Sequence, residues 1–171
     1  QATAYATLYN AQGKAISRQK YVVNVTPNAV IDCAELPLPQ SANGLTLVRL
    51  QLTDKKGNTL SENDYWVDAA NPTKYTSLDG IGKASIAWKI ISKQSNQGAT
   101  TLTVEVRNTS KSVALNLKAN VRNANGKAIL PAYASDGYFN LLPAQKRRIT
   151  IEVPAECVAE DMKVDFSALN I

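Results

Sequence analysis

Any chemistry on this chain has to come from carboxylates, aromatic rings or two thiols, because its 171 residues include 14 Asp and Glu, two Cys and no His. The missing imidazole excludes Ser–His triads, His-ligated zinc and His proton relays. Two cysteines cannot build a four-thiolate zinc site. A carboxylate pair about 5–10 Å apart across a cleft could cleave a glycosidic bond. The carboxylates here, however, are read as turn residues (Asp54, Glu62, Asp64, Asp136) or as outward strand positions (Glu105, Glu152). Asn63 and Asp136 are expected to cap turns through their side chains. Asp64 with Asp68, or Glu160 with Asp161, is too sparse for calcium. Nothing resembles a Gly-rich phosphate loop. No cofactor and no metal are therefore expected, and no residue is assigned a catalytic role.

Aromatic side chains are the remaining candidates, since sugar rings stack on exposed Trp and Tyr. Trp66, Trp88, Tyr133 and Tyr138 are the candidate sugar or interdomain contacts, with core or interdomain packing the expected role of both tryptophans. Cys33 and Cys157 are 124 positions apart and are read as unpaired, mostly buried small hydrophobes.

The net charge is +5. Residues 1–70 hold six cations and six anions, so the whole excess falls in residues 71–171, which hold 13 and eight. Only Lys146-Arg147-Arg148 is a dense run, and it is read as a solvated strand edge. A nucleic-acid surface would need a clustered basic stripe with aromatic platforms, so no nucleic-acid partner is expected. No apolar stretch approaches the roughly 18–20 residues that span a bilayer, and no signal-peptide pattern opens the chain.

The elements that must position these groups are strands. Thr101–Val106 alternates polar and apolar, as do, less strictly, residues 113–121 and 45–52. Period two with Thr, Val, Ile and Tyr predicts half-buried antiparallel strands. A further strand is expected over 28–36, between Pro27 and Pro37. Turn signals fall at Asn10–Gly13, Asp54–Asn58, Asn96–Gly98 and Asn123–Gly126, and at most one short helical turn is expected near 158–162.

The chain also repeats itself. Residues 6–16 match 119–129, with Asn, Ala, Gly, Lys, Ala and Ile recurring at an offset of 113. Pro27 and Pro143, each before a strand, are offset by 116, and Ser61–Tyr65 and Ser135–Phe139 read as one turn used twice. Two copies of a sandwich unit follow. The fold expected is all-β: two immunoglobulin-like antiparallel β-sandwiches in tandem. Residues 1–69 form a partial sandwich, 70–83 a linker and lead-in segment, and 84–171 a second sandwich. The second copy has two strands before its repeated hairpin and the first has room for none, so the first is expected to be incomplete at its N-terminus, with its open sheet completed by a separate chain segment or by oligomer contacts.

Two motifs then carry a resemblance. Leu50–Val67, with Leu52, Asp54, Gly57 and Ser61-Glu62-Asn63-Asp64-Tyr65-Trp66, resembles the "leucine, aspartate, glycine, Ser-Asp-Asn-Phe-Tyr-Trp" hairpin of an immunoglobulin-like domain in glycoside hydrolase family 2. Ser135-Asp136-Gly137-Tyr138-Phe139-Asn140-Leu141-Leu142-Pro143 resembles "Ser-Asp-Asn-Tyr-Phe-x-Leu-Leu-Pro-Gly" of that family's last domain. The branch it is most similar to is the exo-β-D-glucosaminidase and β-mannosidase group. Asp64 stands where an aromatic is usual, Gly137 replaces Asn, and Ala144 replaces the usual Gly. Ala168–Ile171 resembles the family's Gly-Trp-Asn ending, which implies that Ile171 lies close to a natural C-terminus.

The resemblance implies a non-catalytic accessory region of a retaining, metal-independent exo-glycosidase. Its catalytic glutamates would lie on a TIM barrel, which needs about 250 residues and has no counterpart here. The implied partners are that barrel and the preceding domains of the same chain, with β-linked polysaccharide as a further one, and the implied location is periplasmic or extracellular. The competing readings are an autonomous carbohydrate-binding module and an adhesin or fimbrial sandwich completed by a donor strand.

Overall fold

The computed structural model describes residues 2–24, 26–33, 35–37, 44–70 and 72–171. Apart from two short 3-10 turns, Thr76–Gly80 and Ala155–Cys157, the regular structure of the described residues is all strand, paired antiparallel. The chain divides into two compact units, Gln1–Ile81 and Gly82–Ile171.

The first unit is built from β1 (Ala2–Asn10), β2 (Ala15–Val23), β3 (Leu45–Thr53) and β4 (Thr59–Asp68), joined in the order β2-β1-β3-β4. Among the described residues this is its one sheet. Register follows the alternation of side chains. Ala4, Ala6 and Leu8 stand opposite Leu52, Leu50 and Val48 on one face, while Tyr5, Thr7 and Tyr9 stand opposite Gln51, Arg49 and Leu47 on the other.

The strand expected over 28–36 does not form. Residues 26–33 and 35–37 join no ladder, Asn28 turns to φ +59°, and Val30 is 96% exposed. Ala34 lies outside the described residues. Cys33 and Leu36 instead border an apolar groove of about 310 Å³ over the face that carries Ala4, Ala6, Leu50 and Leu52. An apolar run does not by itself make a strand, since these residues stay out of the ladder although β2 and β4 each pair on one side only among the described residues.

The motif Ser61–Tyr65 is also not a turn. It runs inside β4, with Glu62 opposite Gln51 and Asp64 opposite Arg49. Its supposed copy at 135–138 does turn, so the two segments differ in conformation.

The second unit is a two-sheet sandwich. Its strands are β5 (Ile86–Ser95), β6 (Ala99–Asn108), β7 (Ala114–Arg122), β8 (Tyr133–Ala134), β9 (Phe139–Leu141), β10 (Lys146–Pro154) and β11 (Lys163–Ser167). One sheet runs β5-β6-β10-β8 and the other β11-β7-β9. Leu102, Val104 and Val106 of β6 and Ile149, Ile151 and Val153 of β10 point inward at alternate positions. They form one core with Leu117, Val121, Phe139, Leu141, Val164 and Phe166 of the facing sheet. Burying each such side chain contributes roughly 1.5–3 kcal/mol, which makes this core the dominant stabilising term of the unit.

The repeat is real at the level of turn chemistry. Asn10 Oδ1 accepts from the N–H of Gln12 and Lys14, and Asn123 Oδ1 accepts from Asn125 and Lys127. Asp54 Oδ1 does the same for Lys56 and Asn58. The glycines after them, Gly13, Gly57 and Gly126, sit at φ +76°, +85° and +78°, where a Cβ is disfavoured. The same Asx-x-x-Gly turn is therefore used three times.

Near its end the chain is clasped by Asn170. Its Nδ2 donates to the carbonyls of Gly82 and Val113, its Oδ1 accepts from Leu115 N–H, and its own carbonyl accepts from Ala84. This ties the lead-in of the second unit to the start of β7.

Ala144 gives a first expectation. It occupies φ +64°, a left-handed conformation that costs an L-residue about 1–2 kcal/mol. Part of that relief is offset by the greater unfolded-state entropy of glycine. Ala144→Gly is thus expected to stabilise the second unit by about 0.5–1 kcal/mol, read as a higher denaturation midpoint. An unchanged or lower midpoint would contradict the strain.

Candidate functional site

The four aromatic candidates occupy different settings. Trp66 is half-buried on β4, opposite Leu47, and its carbonyl accepts from the Tyr75 hydroxyl at 3.2 Å. Trp88 lies on β5, an edge strand of the four-stranded sheet. Its indole Nε1 donates to the Val164 carbonyl on β11 at 2.9 Å, and its ring tilts against Phe166 at 5.7 Å. The side chain thus bridges the two sheets at one open side of the sandwich, yet stays 42% exposed.

Tyr133 is 60% exposed on β8, opposite Glu152 of β10. Tyr138 is 64% exposed in the turn before β9, at φ +58°, with the Lys118 ammonium 5.6 Å from its ring centroid. Tyr133 belongs to one sheet and Tyr138 leads into the other. The two thiols are unpaired, Cys33 exposed and Cys157 part-buried, so the expectation of mostly buried cysteines fails at Cys33.

The carboxylates hold structure together. Asp68 is fully buried and accepts from the N–H of Ala70 and Ser77, fixing the 3-10 turn to the end of β4. Asp136 pairs with Arg147 rather than capping its own turn, and Asp165 accepts from Arg122 Nε at 2.6 Å. Arg49 lies across β3 with its Nε and Nη2 on the two Asp64 oxygens at 2.8 and 2.9 Å, and with Glu62 3.7 Å away. Burial by itself lowers the pKa of this guanidinium. The Asp64 hydrogen bond and the Asp64 and Glu62 charges outweigh it and raise it above its ordinary value.

A general acid needs a carboxyl pKa pushed up. Asp54 is instead held below the ordinary range, first by the Asn58 side chain and then by the Asn58 backbone N–H. Glu105 is held below it too, first by the hydrogen bond from Arg148 and then by the charges of Lys146 and Lys89. Among the described residues no group of three or more Cys, Asp or Glu is placed to hold a metal ion.

The run Lys146-Arg147-Arg148 opens β10 where that strand pairs with β6 only, since β8 joins it further on at Ile151 and Glu152. It splits by alternation. Arg147 turns toward the inner side, paired with Asp136 and 5.0 Å from the Phe139 ring centroid. Lys146 and Arg148 face outward beside Arg107 and Glu105 of β6.

The Glu105 contact is testable. Glu105 binds its proton more weakly in the folded state, so its contribution is present above the unfolded pKa near 4.5 and is lost as pH falls through the lower folded value. Arg148→Ala is expected to move the Glu105 titration up toward its ordinary value, measured by the pH dependence of its carboxyl NMR shift. An unmoved titration would show that the contact is not made in solution.

Residues 63–171 match the family described as the exo-β-D-glucosaminidase Ig-fold domain. The chain belongs to this family. It is 30% identical over 175 aligned positions to the exo-β-D-glucosaminidase of Streptomyces avermitilis, covering 87% of this chain and 19% of that one. To the Hypocrea virens enzyme of the same name it is 24% identical, covering 84% and 18%. In fold it resembles the crystal structure of the exo-chitosanase CsxA of Amycolatopsis orientalis with a TM-score of 0.87 at 21% identity, covering 99% of this chain and 22% of that one. The chain spans about a fifth of the length of the curated relatives it matches. Over residues 63–171 it is an Ig-fold domain of the exo-β-D-glucosaminidase type.

Sequence reasoning missed Asn108, Asn170 and Arg49, whose side chains tie together segments distant along the chain. A signal existed for Arg49, a lone cation inside the apolar run Leu45–Leu52, which demands a partner when buried. For Asn108 the signal was weaker: a polar residue in phase with the inward positions of β6.

Proposed function

We propose that this chain is a non-catalytic accessory region of a family 2 exo-β-D-glucosaminidase, packing on and buttressing a TIM barrel that carries the two catalytic glutamates. The observation that carries the reading is the family match over residues 63–171 together with a span of about a fifth of the relatives. The ion pairs and caps made by Asp54, Asp64, Asp68, Asp136 and Asp165, and the lowered pKa of Asp54 and Glu105, support it. The substrate of the parent enzyme would be β-linked glucosamine ends, met in the periplasm or outside the cell.

The test is direct. The 171-residue chain should release no product from PNP-β-D-glucosamine or chitosan oligomers, while a longer polypeptide containing it should be active and lose thermal stability when residues 82–171 are removed. Hydrolysis by the isolated chain would overturn the proposal.

A sugar-binding role has less support. Glucosamine units carry amines that protonate, and a ring that stacks them is helped by nearby carboxylates. Tyr138 has the Lys118 ammonium against its face instead.

A further inference from the structure

The first unit has one layer of a sandwich, and the second unit shows what a facing layer looks like. An offset of 113 carries Ala6 and Leu8 of β1 onto Ala119 and Val121 of β7. The ladders agree with it. Ala6 and Leu8 pair with Leu50 and Val48, while Ala119 and Val121 pair with Phe166 and Val164. Strand β3 is thus the counterpart of β11 at an offset of 116, the same that relates Pro27 to Pro143. That offset puts residues 30–38 in the place of β10, Lys146–Pro154. Cys33 falls at the place of Ile149, a core residue, and Cys33 does border the apolar groove.

The groove is the counterpart of a core face. In the second unit Leu117, Val121, Val164 and Phe166 pack in one core with β6 and β10. Their counterparts Ala4, Leu8, Val48 and Leu50 share one face of the first sheet, and the opening of about 310 Å³ lies over Ala4 and Leu50. Strand β10 pairs with β6 over nine positions and with β8 over two. The residues equivalent to β8, 20–21, lie inside β2 and pair with β1. Those equivalent to β5 and β6 are found by subtracting 113 from 86–108, which gives −27 to −5, ahead of Gln1. Residues 30–38 therefore lack the strand that their copy pairs with, and the free edges of β2 and β4 belong to the other layer. Val30 and Ile31 stay exposed in consequence.

We propose that this groove receives a β-hairpin from the polypeptide preceding Gln1, and that residues 30–38 become a strand beside it. The second strand of the hairpin pairs antiparallel with 30–38, as β6 pairs with β10, and its inward apolar side chains cover Ala4 and Leu50. The repeat argues for this occupant, since the second unit covers the same face in the same way. A second copy of the chain has no such hairpin to give, because its β5–β6 pair is already joined to β10. The inference rests on the accessory reading in one respect, that the chain is part of a longer polypeptide.

The test compares this chain with the same chain preceded by roughly 40 of its native upstream residues, enough for two strands and their turns. Amide hydrogen exchange over 28–36 should be fast in the 171-residue chain and at least about 100-fold slower in the extended one. Maleimide labelling of Cys33, exposed here, should slow at least about tenfold on extension, while that of Cys157 stays within about twofold. Cys33→Asp should leave the 171-residue chain unchanged and restore fast exchange in the extended one, because it puts a charge into the closed core. Should the extended chain be insoluble, the same upstream residues added as a synthetic peptide should produce both changes saturably. Two results would overturn the proposal. One is unchanged exchange and labelling in both formats. The other is protection of 28–36 in the 171-residue chain that rises with its own concentration, which would make a second copy the occupant. A chain that hydrolyses PNP-β-D-glucosamine yet shows the protection would sink the accessory reading and leave this one, so the two ideas fail separately.

Discussion

Asn108→Ala is expected to destabilise the second unit by about 3 kcal/mol. Asn108 ends β6 with its side chain fully buried. Its Nδ2 donates to the carbonyls of Ser112 and Leu141 at 2.7 and 2.9 Å, and its Oδ1 accepts from the N–H and hydroxyl of Ser110. Its backbone adds two bonds, from Ala144 N–H and to the Gln145 carbonyl, which alanine keeps. Alanine would strand the Leu141 carbonyl in the core, and a buried polar group without a partner costs about 1–3 kcal/mol. The lost bonds to the partly solvated 110–112 loop supply the remainder. A urea melt followed by Trp88 emission, in a Trp66→Phe background, should show a lower midpoint at an unchanged slope. A shift below about 1 kcal/mol would show that water replaces the side chain.

The second large effect is at the ion pair of the first unit. Arg49 is 4% exposed and Asp64 11%, so the pair is desolvated and is not a surface contact. Removing one partner of a buried pair typically costs about 3–5 kcal/mol, because the other charge is left uncompensated. Glu62 remains 3.7 Å from Arg49, which brings the expectation for Asp64→Ala to about 2–3 kcal/mol. Replacing both charges by apolar groups is a different experiment. Arg49→Leu with Asp64→Phe should fall within about 1 kcal/mol of the unmodified protein, because an apolar cross-strand pair avoids the desolvation cost. Emission of Trp66, two residues along β4 from Asp64, in a Trp88→Phe background reads this unit alone. If the double variant is as unstable as Asp64→Ala, the pair is specific and not merely compensated.

This pair also explains a departure from the family pattern. Asp64 stands where an aromatic is usual, and across the ladder stands an arginine. The two positions form one cross-strand unit, so an acid at one is acceptable because of the base at the other. Ala144 is a departure without such compensation, since it keeps the left-handed conformation that glycine takes without strain.

Much of the architecture was readable before any coordinates. Alternation over 101–106, 113–121 and 45–52 located β6, β7 and β3, because side chains of a strand must point to opposite faces. The Asx-x-x-Gly spacing located three turns, because the side-chain carbonyl replaces a backbone acceptor two and four residues on. The two motifs led to the family, and the family match bears that out. All of these are local properties, within one strand or one turn.

What tertiary structure alone decided is pairing. The described residues of the apolar stretch, 28–33 and 35–36, stay out of the sheet, and Ser61–Tyr65 is strand and not turn because its register pairs it with Val48–Leu52 of β3. The basic run at 146–148 divides between two faces because strand alternation sends Arg147 toward the facing sheet and its neighbours outward. Arg49 finds Asp64 through a register set 15 residues away, and Asn170 finds Gly82 across 88. Sequence by itself determined that this protein is made of strands, where most of them turn and which family they belong to. Which charges and amides meet was left to the tertiary fold, because a hydrogen bond needs its partner within about 3 Å, and only the completed register brings distant residues that close.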